Sequence, residues 1–179
     1  MDSIALATRV LKQGGVVAHA TEGVWGFACD AFDRRAVRRV VDIKRRNSGK
    51  GLILIGASKQ AFADELAGLS CDVRTDVLAS WPGPHTWILP NNRFGALVTG
   101  GRSTVACRVP GHDQARLLAE RFGCPLVSTS ANVSGGPALT VQKEVERHFA
   151  AEVDYVLPGQ VMNPGVPSTI HEIGGRILR

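Results

Sequence analysis

Stretches with apolar residues at helical spacing alternate along the chain with short, continuously apolar runs. The spacing of apolar side chains within Ser3–Gln13 predicts a helix, which Gly14-Gly15 then ends. The run Val16–Ala20 predicts a strand. This strand leads into Thr21–Gly26, whose two glycines favour a sharp loop.

A second helix is predicted after Asp33, a residue type that caps helices. Its apolar face runs from Ala36 to the aliphatic stem of Lys44, and the arginines lie mostly on the outside. The helix ends at the basic loop Arg46–Gly51, and the polar stretch before Trp81 shows neither pattern. The other predicted elements are the strands Leu52–Ile55, Thr86–Leu89, Thr104–Val109, Pro125–Ser128, Val153–Leu157, Ser168–Ile173 and Arg176–Leu178, and the helices Ser58–Leu66, Asp113–Phe122 and Val141–Phe149, the last capped by Thr140.

Helices and strands alternate over most of the length, no segment repeats, and no linker separates two halves. We therefore predict a single domain over residues 1–179, of the α/β class. The irregular connections favour a mixed sheet with helices packed on it over a purely parallel sheet.

Nothing in the sequence predicts a membrane protein. The longest apolar runs, such as Leu52–Ile55, are far shorter than the roughly 18–20 residues that a membrane-spanning helix needs. The start Met1-Asp2-Ser3 lacks the basic-then-apolar pattern of a signal peptide. With 179 residues, 44% of them hydrophobic, the chain can bury a full core. We expect a cytoplasmic protein without a membrane partner.

The net charge of +5 comes from one segment. Between Arg34 and Lys50 there are eight basic residues and one acid, whereas the other 162 residues carry 13 basic and 15 acidic side chains. Such a patch favours a partner that bears phosphate, either a nucleotide or a nucleic acid. A solvated helix face is the alternative for its first half.

The cysteine and histidine spacings do not predict a metal site. The four cysteines lie at least 17 residues apart, without a Cys-x-x-Cys pair, and we expect all four to be buried. The five histidines are scattered and are expected to be structural or on the surface. The two common glycine-rich phosphate loops are also absent.

Two stretches could nevertheless surround a phosphorylated ligand. Lys44-Arg45-Arg46 and Lys50 lie where the second helix gives way to a strand, and their side chains can meet one triphosphate if the chain turns there. The stretch from Pro125 to Gly136 delivers hydroxyl and amide groups from a strand end into a glycine-rich turn. A polar turn with local hydrogen bonds is the alternative for the second stretch.

Two further stretches are Ala20–Gly26 and Thr104–Pro110. Arg108 is a charge within an otherwise apolar strand, and a buried arginine requires an anionic partner. That partner could be a carboxylate of the protein or of a substrate.

Taken in order, with Trp81–Thr86 and Pro167–Ile170 between and after them, these stretches resemble one family. The chain is similar to the YrdC-like threonylcarbamoyl-AMP synthases, in the short bacterial TsaC form without an added C-terminal domain. The resemblance runs from Ile4 to Arg179. Its hallmark is a Lys-x-Arg motif with a distant Ser-x-Asn, here Lys44-Arg45-Arg46 and Ser130-Ala131-Asn132.

The resemblance implies a nucleotidyltransferase that converts L-threonine, bicarbonate and ATP into threonylcarbamoyl-adenylate, pyrophosphate and water. The product would pass to a complex that modifies tRNA. The family fold is a twisted α/β sheet with a concave basic surface, and family members are associated with RNA. Carried over by motif, the threonine site would contain Thr21, Arg108, Ser128 and Ser168, and the ATP site would contain Lys44, Arg46, Lys50, Thr104, Ser130 and Asn132. Lys44 and Arg46 would be catalytic.

The chemistry fits these side chains. In phosphoryl-type transfers, positioning and charge neutralisation dominate, so that Lys, Arg and the Mg²⁺ bound to ATP suffice without a protein nucleophile. The chain departs from the family pattern in a few places. Ala20 replaces a frequent proline, and a serine that is common after the Ser-Gly turn is lost near Ala138, which puts one ATP contact in doubt.

Two alternatives stand beside this reading. The basic segment Arg34–Lys50 could serve a non-catalytic module that binds tRNA or double-stranded RNA, although no aromatic residue interleaves it. The scaffold could also carry a different ATP-using ligase, since a fold does not dictate its chemistry.

Overall fold

The computed structural model describes residues 2–178. Over this range, eight strands form one mixed sheet in the order β7-β1-β2-β6-β3-β5-β4-β8. The strands are β1 (Val17–Ala20), β2 (Trp25–Asp30), β3 (Ile53–Ile55), β4 (His85–Pro90), β5 (Thr104–Arg108), β6 (Leu126–Ser130), β7 (Tyr155–Val156) and β8 (Thr169–Glu172). The helices are α1 (Ser3–Lys12), α2 (Arg34–Ile43), α3 (Ala63–Ala67), α4 (Cys71–Ser80), α5 (Ala96–Thr99), α6 (Asp113–Phe122) and α7 (Gln142–Phe149), with a 3-10 turn at Lys59–Phe62.

The two faces of the sheet are covered to different extents. On one face, side chains such as Phe27 and Leu54 pack in a large core with helices α2 to α5 and α7. On the other face, α1 and α6 bury a smaller cluster that includes Val17, Ala28 and Leu126. The rest of that face, towards β5, β4 and β8, forms the floor of a cavity.

Helix α2 forms as its sequence predicts. The Asp33 side chain accepts hydrogen bonds from the backbone N–H groups of Arg35 (2.8 Å) and Ala36 (3.2 Å), so it satisfies two donors at the helix start. The apolar side chains from Ala36 to Val41 are buried in the core. All four outward arginines of the helix are exposed, and one of them, Arg39, pairs with Asp154 at 2.6 Å.

The mixed sheet is confirmed, but several local predictions are wrong. Strand β2 begins inside the predicted loop at Trp25, where it pairs with both β1 and β6. Helix α4 occupies the stretch in which no element is predicted. The sequence does not reveal this helix because Val77 is its only fully buried residue, so its apolar residues show no helical periodicity. Helix α7 is capped at Val141 and not at Thr140, and no side chain bonds to its start.

The end of the chain and the cysteines also differ from expectation. Of the predicted strand Arg176–Leu178, only Ile177 forms a single bridge, with His171 of β8, and Arg179 lies outside the described residues. Cys29 and Cys107 are buried as expected, but Cys71, the first residue of α4, and Cys124, two residues beyond the end of α6, are exposed.

Candidate active site

A cavity of about 700 Å³ opens on the partly covered face of the sheet. Ile53, Ala106, Ile88 and Glu172 are successive cross-strand partners on its floor. Eight of the ten predicted site residues line it, and these are Thr21, Arg46, Thr104, Arg108, Ser128, Ser130, Asn132 and Ser168. Residues from distant parts of the sequence therefore meet in one place.

Lys44 and Lys50 are the two predicted residues that do not line this cavity. Lys50 is exposed in the loop after α2. Lys44 is almost wholly buried, with 1% of its surface accessible. Their direct contact with ATP stays a prediction.

The Lys44 ammonium group lies beneath the Ser-x-Asn turn. Its Nζ donates to Asn132 Oδ1 at 2.7 Å, to the Asn132 carbonyl at 3.2 Å and to the Ser130 carbonyl oxygen. Burial, and then the nearby Arg46, lowers the Lys44 pKa to about 8. The Lys-x-Arg and Ser-x-Asn motifs are thus joined through a buried lysine.

The turn itself is closed by its own side chains. Ser130 Oγ donates to Asn132 Oδ1 at 2.8 Å, and Asn132 Nδ2 donates to the Gly136 carbonyl at 2.6 Å. Ala138 lines the cavity beside it. Alanine has no side-chain hydrogen-bonding group, so Ala138 cannot replace the serine contact that the family resemblance predicts near this position.

Arg46 faces the cavity because the chain turns sharply after α2. Arg45 has a φ of 47°, in the left-handed region. Arg46 then donates from Nη2 to the Gly51 carbonyl (2.9 Å) and from Nε to the Lys50 carbonyl (3.2 Å). Partial burial lowers its pKa, but the guanidinium stays charged.

Arg108 finds its anionic partner within the protein. Its Nη2 forms a buried ion pair with Glu22, and its Nε donates to the Gly83 carbonyl at 3.1 Å. The same Glu22 oxygen accepts the Gly111 backbone N–H at 2.6 Å. Burial lowers the Arg108 pKa, and the Glu22 carboxylate opposes that shift. Since Arg108 also lines the cavity, the ion pair holds a guanidinium at the site.

Backbone hydrogen bonds hold the loop before β8 next to this ion pair. The backbone N–H groups of Met162 and Asn163 donate to the Glu22 carbonyl, and that of Gly165 donates to the Gly23 carbonyl. A Cβ at Gly23 would lie 1.8 Å from the Val166 carbonyl oxygen, so only glycine permits this approach. Ser168 follows, its hydroxyl 2.9 Å from that of Thr86.

Sequence reasoning missed three residues at the site. Arg102 lines the cavity beside Thr104, and Glu22 holds Arg108. The histidines are predicted to be structural or on the surface, and the buried His19 ring contacts Ser128, which lines the cavity. The one sequence signal was the position of Glu22 next to Thr21.

The charge at the cavity suits an anionic ligand. Three arginines line it, namely Arg46, Arg102 and Arg108, and Glu172 is the lining carboxylate. Within residues 2–178 there is no group of three His, Cys, Asp or Glu side chains placed to hold a metal ion. No helix in this range is both long and apolar enough to cross a membrane.

Comparison with known proteins identifies relatives over nearly the whole chain. The threonylcarbamoyl-AMP synthase of Vibrio vulnificus (strain YJ016) is 40% identical over 175 residues, which are 96% of this chain and 94% of that protein. The enzyme of the same name from Xanthomonas axonopodis pv. citri is 41% identical over 177 residues, 97% of this chain and 95% of that protein.

Solved structures of other proteins share the fold of this chain. P. abyssi Sua5, solved in complex with L-threonine, superposes with a TM-score of 0.92 at 31% identity. The match covers 98% of this chain and 53% of that one, so the chain spans about half the length of Sua5. E. coli YciO, at 22% identity and a TM-score of 0.80, shares the fold. The family model for Sua5, YciO and YrdC, described as "Telomere recombination", matches residues 9–179. This chain therefore belongs to the Sua5, YciO and YrdC family.

Proposed function

We propose that this protein is a threonylcarbamoyl-AMP synthase, which joins L-threonine, bicarbonate and ATP into threonylcarbamoyl-adenylate. Relatives about 40% identical over nearly the full length carry that name. The observation that carries the proposal is the convergence of Thr21, Arg46, Arg108 and Ser130 on one cavity. An RNA-binding module that uses the basic segment would not need hydroxyl groups and arginines around this cavity.

The reaction balances in two steps. The neutral amine of threonine attacks the carbon of bicarbonate, and loss of water gives a carbamate. An oxygen of the carbamate then attacks the α-phosphorus of ATP, and pyrophosphate leaves. The second step moves negative charge between oxygens, so it is accelerated by cations and N–H or O–H donors that are already in place.

The order of residues along the strands divides the cavity into two ends. Thr104 and Arg108 lie four residues apart on β5, about 13 Å along an extended strand. We place threonine at the Arg108 end, with Thr21, Ser128 and Ser168. We place the phosphates of ATP at the other end, near Thr104, Arg46, Ser130 and Asn132.

Lys44 has a different role in this arrangement from that of Arg46. Its ammonium group already donates to oxygens of Ser130 and Asn132, and its side chain does not line the cavity. We infer that Lys44 is a positioning residue which orients the Ser-x-Asn turn, whereas Arg46 and Lys50 meet the phosphates.

We propose that Mg²⁺ enters with ATP. Within residues 2–178 no cluster of three protein ligands is placed to hold the ion directly, so ATP would bring it to the site. The ion would there neutralise charge on the phosphates. The chain's own residues orient the two substrates and exclude water from the carbamate, which would otherwise decay.

The product is a reactive mixed anhydride, so a second activity must consume it. We propose that a threonylcarbamoyl-transfer complex in the cytoplasm passes the group to tRNA. The exposed arginines of α2 offer a surface for tRNA or double-stranded RNA, because Arg34, Arg35 and Arg38 have no carboxylate partner within residues 2–178. This contact stays a prediction that is separate from the reaction.

The proposed reaction is tested by incubating the protein with ATP, threonine and bicarbonate and detecting the adenylate by mass spectrometry. Omission of either threonine or bicarbonate should abolish both the adenylate and pyrophosphate release. Arg46→Met should remove activity, whereas Arg38→Met, the same change on the exposed face of α2, should not. ATP turnover without threonine would refute the proposal, and RNA affinity without adenylate would favour the binding module.

A further inference from the structure

His19 and Ser128 contact each other although a whole strand lies between them. His19 is on β1 and Ser128 is on β6, and β2 pairs with both. The His19 Nε2 atom lies 3.1 Å from Ser128 Oγ. Both side chains are more than nine-tenths buried, and Ser128 lines the threonine end of the cavity.

A glycine of the middle strand lies beside this contact. Gly26 of β2 is the direct cross-strand partner of His19. A Cβ at Gly26 would lie 3.4 Å from Ser128 Oγ, 3.6 Å from His19 Nε2 and 3.0 Å from the Thr129 carbonyl oxygen. A Cβ at Gly26 would therefore be in ordinary contact with both groups, and the Thr129 carbonyl oxygen is the neighbour that would have to shift.

The His19 ring is neutral at physiological pH. Burial is the main cause that lowers its pKa, to about 4, and the nearby His112 and Arg108 add to the shift. The Ala20 backbone partly offsets the shift, although Nδ1 makes no hydrogen bond of ordinary geometry. His112 is itself oriented, since its Nδ1 accepts the Ala115 N–H at 3.3 Å and its Nε2 lies 2.9 Å from the Gln160 carbonyl oxygen.

A neutral ring carries one proton, and its position follows from the partners available. A proton on Nδ1 would be buried without a hydrogen bond of ordinary geometry, although the Ala20 backbone interacts with the ring. A proton on Nε2 can be donated to Ser128 Oγ. We therefore assign the proton to Nε2. The Ser128 oxygen then acts as the acceptor, so its own hydrogen is free for another partner.

We propose that His19 is a positioning residue that commits the Ser128 hydroxyl to donating into the cavity, towards an anionic oxygen of the amino-acid substrate. This inference rests on the proposed function, in which threonine and its carbamate both present such oxygens. His19 contributes in this way without touching the substrate. It also sets the threonine end apart from the Ser130 end, where Lys44 and not a histidine organises the hydroxyl.

The kinetic test uses two substitutions at His19. His19→Leu keeps the bulk but removes the donor, and it should raise KM for threonine about tenfold while KM for ATP stays unchanged. His19→Gln can donate from its side-chain amide, so it should recover most of the loss. Equal increases in both KM values would overturn the inference, because they would indicate a general disturbance of the fold.

A double-mutant cycle asks whether His19 acts through Ser128. In a Ser128→Ala background, His19→Leu should cause no further rise in KM for threonine. Full additivity of the two effects would overturn the inference. Thermal unfolding of each variant provides the control for stability.

Nitrogen-15 NMR of the unmodified protein tests the pair without any reaction. The His19 ring should show the neutral tautomer protonated at Nε2 at pH 7, and a ring protonated at Nδ1 or doubly protonated would overturn the assignment. This measurement stands even if His19→Leu does not fold. It also separates the two proposals, since a protein that makes no adenylate refutes the function but can still show this tautomer.

Discussion

Replacing Lys44 with methionine keeps the buried aliphatic stem and removes the ammonium group. In the folded protein that group donates to Asn132 Oδ1 at 2.7 Å and to the Asn132 carbonyl at 3.2 Å. Without it, Asn132 Oδ1 keeps the hydrogen bond from Ser130 Oγ, but the Asn132 carbonyl loses its donor. The Ser-x-Asn turn is then no longer held from below.

The effect on stability should be small because two contributions oppose each other. A buried acceptor left without a donor costs about 1–3 kcal/mol. Removing the ammonium recovers the cost of burying a charge, and the fall in the Lys44 pKa from 10.5 to about 8 corresponds to about 3 kcal/mol. We therefore expect the free energy of unfolding to change by less than about 2 kcal/mol in either direction.

Activity should respond quite differently. A displacement of about 1 Å at groups that orient a reacting phosphate can lower a rate about 100-fold, so we expect a loss of at least that size in threonine-dependent pyrophosphate release. The matched control is Arg45→Met, which removes the same charge from the adjacent, exposed residue. Urea unfolding and pyrophosphate release are measured on both variants. If Lys44→Met retains the activity of Arg45→Met, Lys44 does not organise the turn.

Two further predictions concern the loop before β8 and the acid range. Gly23→Ala should lower the melting temperature and raise KM for threonine, because its Cβ would lie 1.8 Å from the Val166 carbonyl oxygen. The control is Gly68→Ala, where nothing lies within 4 Å of the new Cβ. Equal melting temperatures and equal KM values for the two variants would contradict the prediction. In the second prediction, the unfolded state binds a proton on His19 near its ordinary pKa of 6.5, whereas the folded state does so only near 4, so stability falls as the pH drops through this window. Between pH 7 and pH 5 the unmodified protein should lose about 2 kcal/mol more of its free energy of unfolding than His19→Gln loses. The free energies are measured by urea unfolding at each pH, and an equal loss in the two proteins would refute the prediction.

The sequence predicted which side chains line the cavity better than it predicted the local structure around them, and the roles of those side chains stay predictions. The side chains that bear chemistry were recognised by type and order, and the cavity contains Thr21, Arg108 and Ser130 as expected. Strand β2 and helix α4 were missed. Strand β2 is buried on both faces, so its residues do not alternate between apolar and polar. Helix α4 buries only Val77, so it lacks an apolar face that would mark it in the sequence.

The anionic partner of Arg108 is also determined by the fold. Sequence reasoning left a protein carboxylate and a substrate carboxylate open, and the structure brings Glu22 to the guanidinium from a loop 86 positions away in the chain. Because Arg108 still lines the cavity, the protein carboxylate holds the charge in place without closing the site.

By itself, the sequence determined the α/β class, the amphipathic helix α2 with its Asp33 cap, and the set of hydroxyl, amide and cationic groups available for chemistry. These features depend on residue type and short-range spacing, both of which are visible in the sequence. The tertiary structure alone decided which groups meet. It buried Lys44 under Asn132, and it brought His19 of β1 into contact with Ser128 of β6 across strand β2. Such contacts depend on strand order and register, which local sequence patterns do not encode.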